Sequence, residues 1–145
     1  MSDLHVVLKV ADTEYVISAA DVLHMESFAG ATRVPGARSY VGGLVQIRGR
    51  VVPVVDLRVR FGLPSAEPTL DSRVIVVQRG GRTVGLLVDS AREVVNIAEG
   101  ELRPPPEVMA EESAGFVRAV AKLGERLVML VDVGRIIGEE QDHGI

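Results

Sequence analysis

Val45-Gln46-Ile47-Arg48-Gly49-Arg50-Val51-Val52-Pro53-Val54-Val55-Asp56-Leu57 is the stretch on which the fold turns. The apolar run 45–47 stops at Arg48-Gly49, and a second run, 50–57, begins at once. β-Branched side chains lose rotamer freedom in helices and pack well on pleated surfaces. Two such runs around a glycine turn therefore read as paired strands. Asp56 closes the second run, where a carboxylate accepts backbone N–H bonds as a turn or cap residue. Residues 57–61 follow as one helical turn, stopped by Gly62 and Pro64.

Outward from this stretch the same pattern recurs. Runs 6–10 and 15–18 flank a turn at Ala11-Asp12-Thr13-Glu14. Runs 74–78 and 83–89 flank Arg79-Gly80-Gly81-Arg82, a hairpin signal. Runs 116–123 and 126–131 flank Gly124-Glu125. Valine supplies 26 of the 145 residues, and strands this short and close imply an all-β barrel or sandwich. Helical content is expected to be slight: a turn at 18–21 leading into 22–25, and another at 132–137 with Asp132 as N-cap and Gly138 as C-cap. Pro104-Pro105-Pro106 excludes a central strand there, so 104–115 reads as an exposed loop. The polar segment 139–145 reads as a frayed tail. Arg50 to Leu57 (RVVPVVDL) is echoed by Arg126 to Val133 (RLVMLVDV). The echo predicts two similar small barrels, each closed by the same corner, in one domain over residues 1–138.

Composition narrows the chemistry. There is no Cys and no Trp, and there are three His. Thiol catalysis, disulfides, Fe–S clusters and cysteine zinc sites are thereby excluded. His5, His24 and His143 lack metal-ligand spacing, so no metal or cofactor is expected. Neither glycine pair belongs to a phosphate-binding loop motif, and no serine has a nucleophile-elbow context. Asp56, Asp89 and Asp132 each end an apolar run, the usual place of a turn or cap residue. An enzyme is therefore not expected. No apolar run is long enough to cross a membrane, and the N-terminus lacks a signal-peptide pattern. A soluble cytoplasmic protein is the expectation.

Formal net charge is −4, and 14 of the 16 cations are Arg. Arg33, Arg38, Arg48, Arg50, Arg58 and Arg60 face one acid, Asp56, within 33–60, which makes that window +5 and the remainder −9. A basic patch on a β-barrel is a nucleic-acid signature, and binding of nucleic acid is kept as the alternative function. The window is mostly apolar, however, and Tyr40 is its only aromatic residue. Arg48 reads either as a surface Arg in a hairpin turn or as the partner of Glu26, which follows the run 22–25. Such a pair orients a guanidinium and shapes a binding surface. A groove between two barrels, apolar and rimmed by Arg, would suit a protein partner. Periodicity does not separate groove residues from core.

The stretch Gly43 to Arg58 resembles the signature of the CheW family, which typically reads G-x-x-N-L-R-G-x-x-x-P-(V/I)-(V/I)-D-L-R. Thr32-Arg33-Val34-Pro35, Val84-Gly85-Leu86-Leu87-Val88-Asp89 and Leu123 to Asp132 resemble further family elements in the family's order, over residues 4–137. The resemblance implies two intertwined five-stranded SH3-like barrels with a few short helices. It implies a non-enzymatic adaptor between the cytoplasmic tip of methyl-accepting chemoreceptors and the regulatory domain of a CheA-type histidine kinase. It implies a receptor-binding groove between the barrels, with Arg48 and Gly49 matching the family's Arg-Gly, Glu26 its Glu, and Met25, Val34 and Ile47 nearby. The chain departs from the pattern at Gln46, where Asn is usual, at Ile47, where Leu is usual, and in residues 27–31, about two residues short.

Overall fold

The apolar runs pair as hairpins. In the computed structural model, which describes residues 3–106 and 115–138, β1 (Leu4–Val10) pairs antiparallel with β2 (Thr13–Ser18), and β4 (Val41–Ile47) with β5 (Arg50–Asp56). Likewise β6 (Arg73–Arg79) pairs with β7 (Arg82–Val88), and β9 (Val117–Leu123) with β10 (Arg126–Val131). Three of the turns, Ala11-Asp12, Arg48-Gly49 and Gly80-Gly81, hold both central residues at positive φ. That is the two-residue turn whose twist matches the strands it joins. The first turn is tighter than the four residues expected, because Val10 and Thr13 already pair.

Two strands escape the valine pattern. β3 (Val22–Ser27) alternates half-buried and exposed residues, and β8 (Ser90–Asn96) carries one buried residue, Ala91. Each has a single hydrogen-bonded neighbour and lies at a sheet edge, where few apolar side chains are needed. β4 begins at Val41, earlier than the run 45–47, because Gly42-Gly43 interrupts the apolar pattern without interrupting the strand. Parts of the expected loop (107–114) and the whole expected tail (139–145) lie outside the described residues.

Ten strands form two five-stranded sheets, ordered β8-β1-β2-β10-β9 and β3-β6-β7-β5-β4. The second barrel is one continuous stretch of chain, and it interrupts the first, which is how the two intertwine. Both orders contain one parallel pair at the same place, β2 with β10 and β7 with β5. The echoed sequences occupy equivalent positions. β5 runs into helix α1 (Leu57–Arg60), capped by Asp56, and β10 into α2 (Val133–Ile137), capped by Asp132. Both corners are anchored alike: the Asp56 amide donates to the Tyr40 carbonyl at 2.8 Å, and the Asp132 amide to the Phe116 carbonyl at 2.9 Å.

Strand periodicity divides the core. On β1, Val6, Leu8 and Val10 enter a core shared by both barrels, while Val7 points into the first barrel with Val16, Val128 and Leu130. On β6, Ile75 and Val77 enter the shared core, and Val74 packs beside Gly85 and Val54 inside the second barrel. Burial on both faces explains why β1 and β6 are nearly continuous apolar runs. Polar clamps cross the same junction. Asp89 accepts from the Ala11 amide at 2.7 Å and takes Arg58 in a two-pronged pair at 3.1 and 2.8 Å. Arg60 donates to the carbonyls of Ile136 and Arg135, and its guanidinium lies 3.9 Å over the Tyr40 ring and 5.0 Å from the Phe116 ring centre. Arg82 donates to the Ile137 carbonyl at 3.0 Å.

Candidate functional site

Arg48 owes its position to the turn. It sits at φ 52° and Gly49 at φ 80°, both in the left-handed region. Arg disfavours that region, and Gly adopts it without penalty. The turn aims Arg48 across the open edge of the second barrel toward β3, where period-two alternation puts His24 and Glu26 on the half-buried face. Arg48 Nε donates to Glu26 Oε2 at 3.0 Å. The Glu26 side chain is 29% exposed and that of Arg48 66%. The bond uses Nε and leaves both terminal amino groups of Arg48 uncommitted among the described residues. An exposed pair of this kind contributes only about 0–1 kcal/mol to stability. Its consequence is orientation, not stability.

Beside the pair lies a hollow of about 500 Å³ between the end of β3, residues 28–32 and β4, lined in part by Phe28, Ala31, Leu44, Gln46 and Ile47. Its outer wall is held where Thr32 and Leu44 exchange backbone hydrogen bonds at 2.9 and 2.8 Å. That close approach requires Gly43, since a Cβ there would lie 2.4 Å from the Thr32 carbonyl oxygen.

The structure thus gathers Glu26, Arg48, Gly49 and Ile47 at one end of the second barrel. Met25, 37% exposed, lies on the opposite face of β3 from Glu26. Val34 lies apart from them. It lines a cavity of about 540 Å³ with Tyr40, Arg82 and Ile137, where the second barrel meets α2, and another of about 480 Å³. His24 is the residue that composition-level reading passed over. Its Nδ1 lies 3.0 Å from Glu26 Oε2, yet this buried nitrogen has no hydrogen-bond partner, so the contact is proximity without donor alignment. Spacing of two from Glu26 on a strand would have revealed it, once residues 22–27 were read as a strand.

Within the basic window Arg48 and Arg58 are paired with the carboxylates of Glu26 and Asp89, Arg50 and Arg60 bond neutral oxygens of Thr83 and of the end of α2, and Arg33 and Arg38 are exposed. Nothing in this arrangement supports the nucleic-acid alternative. Among the described residues no group of three or more His, Asp or Glu is placed to hold a metal, and no helix is long and apolar enough to cross a membrane.

Two SH3-like barrels built on a duplicated corner and joined through one core, with an oriented ion pair at an open edge, make up a double-barrel fold. The family model for the CheW-like domain matches residues 5–141, and the chain belongs to the CheW family. It is similar to the chemotaxis protein CheW of Bacillus subtilis (strain 168), 33% identical over 138 residues covering 95% of this chain and 88% of the relative. It is similar also to the chemotaxis protein CheW of Rhizobium meliloti (strain 1021), 31% identical over 136 residues covering 94% and 88%. The crystal structure of scaffolding protein TtCheW from Thermoanaerobacter tengcongensis superposes with a TM-score of 0.87 at 29% identity, covering 98% of this chain and 97% of the other.

Proposed function

We propose that this protein is a non-enzymatic adaptor in a chemosensory array. It couples the cytoplasmic tip of methyl-accepting chemoreceptors to the regulatory domain of a CheA-type histidine kinase. Residues 1–138 act as one unit in the cytoplasm, without a cofactor. The receptor tip docks where Arg48 and Gly49 meet Glu26, with Ile47, Met25 and Val34 on the surrounding surface, and the kinase domain takes a barrel end. The mechanism is positioning. Two modest interfaces on one rigid scaffold raise the effective concentration of kinase at the receptor. A signal crosses as a difference in how well those interfaces fit kinase-on and kinase-off states.

One observation carries the reading: an Arg held in left-handed backbone, tethered through Nε alone and otherwise exposed. The positive φ belongs to the two-residue turn, as at Ala11-Asp12, and it is the tether to Glu26 that orients the exposed guanidinium. Arg48→Asn tests it cleanly, because Asn tolerates positive φ and removes the guanidinium. Affinity for a receptor-tip fragment should fall at least about tenfold, or about 1.4 kcal/mol. Kinase-domain affinity should be unchanged, and the thermal midpoint should move by less than about 4 °C. Parallel losses of stability and of both affinities would assign Arg48 a structural role instead.

A further inference from the structure

Leu70, in the loop before β6, is 96% exposed, more than any other large apolar side chain among the described residues. Single exposed apolar residues are common and by themselves mean little. Leu70 differs because the turn that carries it is tightly held. The Thr69 amide donates to Ser72 Oγ at 2.8 Å, and the Ser72 amide to the Thr69 carbonyl at 3.1 Å. The Asp71 amide donates to Thr69 Oγ1 at 3.1 Å. Arg73 donates to the carbonyls of Leu70 and Ser72 at 2.8 and 2.7 Å. Ser72 is itself buried. A turn fixed at this many points presents Leu70 in one place, so less conformational freedom is lost when a partner covers it.

The first barrel adds a further tie. In the pairing of β8 with β1, Glu93 faces Val7 and Ala91 faces Leu8, which leaves Arg92 without an opposite residue. This is a β-bulge, a device that re-aims a side chain. Arg92 donates to Asp71 Oδ1, so both barrels hold the turn. Asp71, Arg92 and, two residues further along β8, Val94 are all exposed. Leu70 thus stands as an apolar knob beside a paired acid and base, and an apolar centre with a charged rim is how protein interfaces are built.

Register places the turn beside the surface that carries Arg48. Arg73, the first residue of β6, lies opposite Ser27, which follows Glu26 on β3. Ser27 and Val74 line the hollow beside the Arg48–Glu26 pair. The turn continues that surface. We propose that Leu70 is a specificity-determining contact, which inserts into an apolar recess of the receptor tip that docks at Arg48, with the Asp71–Arg92 pair at the edge of the recess. The identity of the partner rests on the receptor-facing reading of Arg48.

The test is isothermal titration calorimetry of the full chain against a receptor cytoplasmic-tip fragment and, separately, a kinase regulatory-domain fragment. Leu70→Ser should weaken receptor-tip binding at least about tenfold. It should also make the heat-capacity change of that binding less negative, the mark of lost apolar burial. Leu70→Met, which keeps apolar volume, should weaken binding by less than about threefold. Kinase-domain affinity and the thermal midpoint should not change in either variant, because a fully exposed side chain has no packing to lose. Receptor-tip binding unchanged by Leu70→Ser, while Arg48→Asn still weakens it, would overturn the proposal and leave the receptor reading standing. A loss of kinase binding alone, or self-association of the chain that Leu70→Ser abolishes, would overturn it by giving the knob to another partner. A loss in Leu70→Ser with none in Arg48→Asn would support the Leu70 contact and overturn the reading of Arg48.

Discussion

Gly43 and Gly49 lie in the same hairpin and are required for different reasons. Gly49 stands in open space, and only its backbone at φ 80° restricts it. Gly43, at φ 133°, also faces a carbonyl that a Cβ would strike at 2.4 Å, and that carbonyl is backbone and cannot rotate away. Gly49→Ala should therefore cost about 1–2 kcal/mol, the penalty of left-handed backbone. Gly43→Ala should cost about 2–5 kcal/mol, adding overpacking to strain. Urea unfolding distinguishes them, and equal costs would mean that the Thr32 contact is not as tight as described. At this scale the ion pair was half legible. Arg48 before a turn glycine and Glu26 at the end of a run were visible in the sequence. Their meeting depends on the curl that brings the edges β3 and β4 near each other. The closeness of His24 to Glu26 stayed hidden because it depends on the two sharing a strand face, and a run read only as 22–25 assigns no face.

Elements were legible where several valine-rich side chains are buried. β1, β6 and β7 bury residues on both faces, and β5, β9 and β10 bury enough side chains to read as apolar runs broken at turns, although Val51, Arg118 and Leu127 are exposed. β3 and β8 did not, because each buries at most one side chain. The echo RVVPVVDL and RLVMLVDV was legible for a physical reason. Each copy must supply a parallel pairing, a helix cap and an amide anchored on an aromatic residue's carbonyl. Sheet order was not legible, since hairpins specify neighbours within a pair and nothing local specifies which pairs adjoin.

The whole molecule is held by a junction with both apolar and charged parts. Burial raises the Asp89 carboxyl, but the hydrogen bonds from Arg58 and the Ala11 amide outweigh it and hold the group below its usual range. A lowered carboxyl contributes stability above its unfolded value, about 3.9, and loses that contribution as pH falls through its folded value. The difference in thermal midpoint between the unaltered chain and Asp89→Asn should therefore be largest near neutral pH. It should shrink as pH is lowered below about 4. A difference that stays constant or widens in acid would remove Asp89 from the junction's energetics. Rigidity at this junction matters to the proposed adaptor, because two partners are aligned only if the barrels do not swing independently.

Sedimentation velocity of a three-component mixture tests that adaptor role most directly: the full chain, a receptor cytoplasmic-tip fragment and a kinase regulatory-domain fragment. The account predicts one particle containing all three, heavier than any pair and absent when the chain is omitted. A folded chain that binds neither fragment, or that releases one on binding the other, would contradict it.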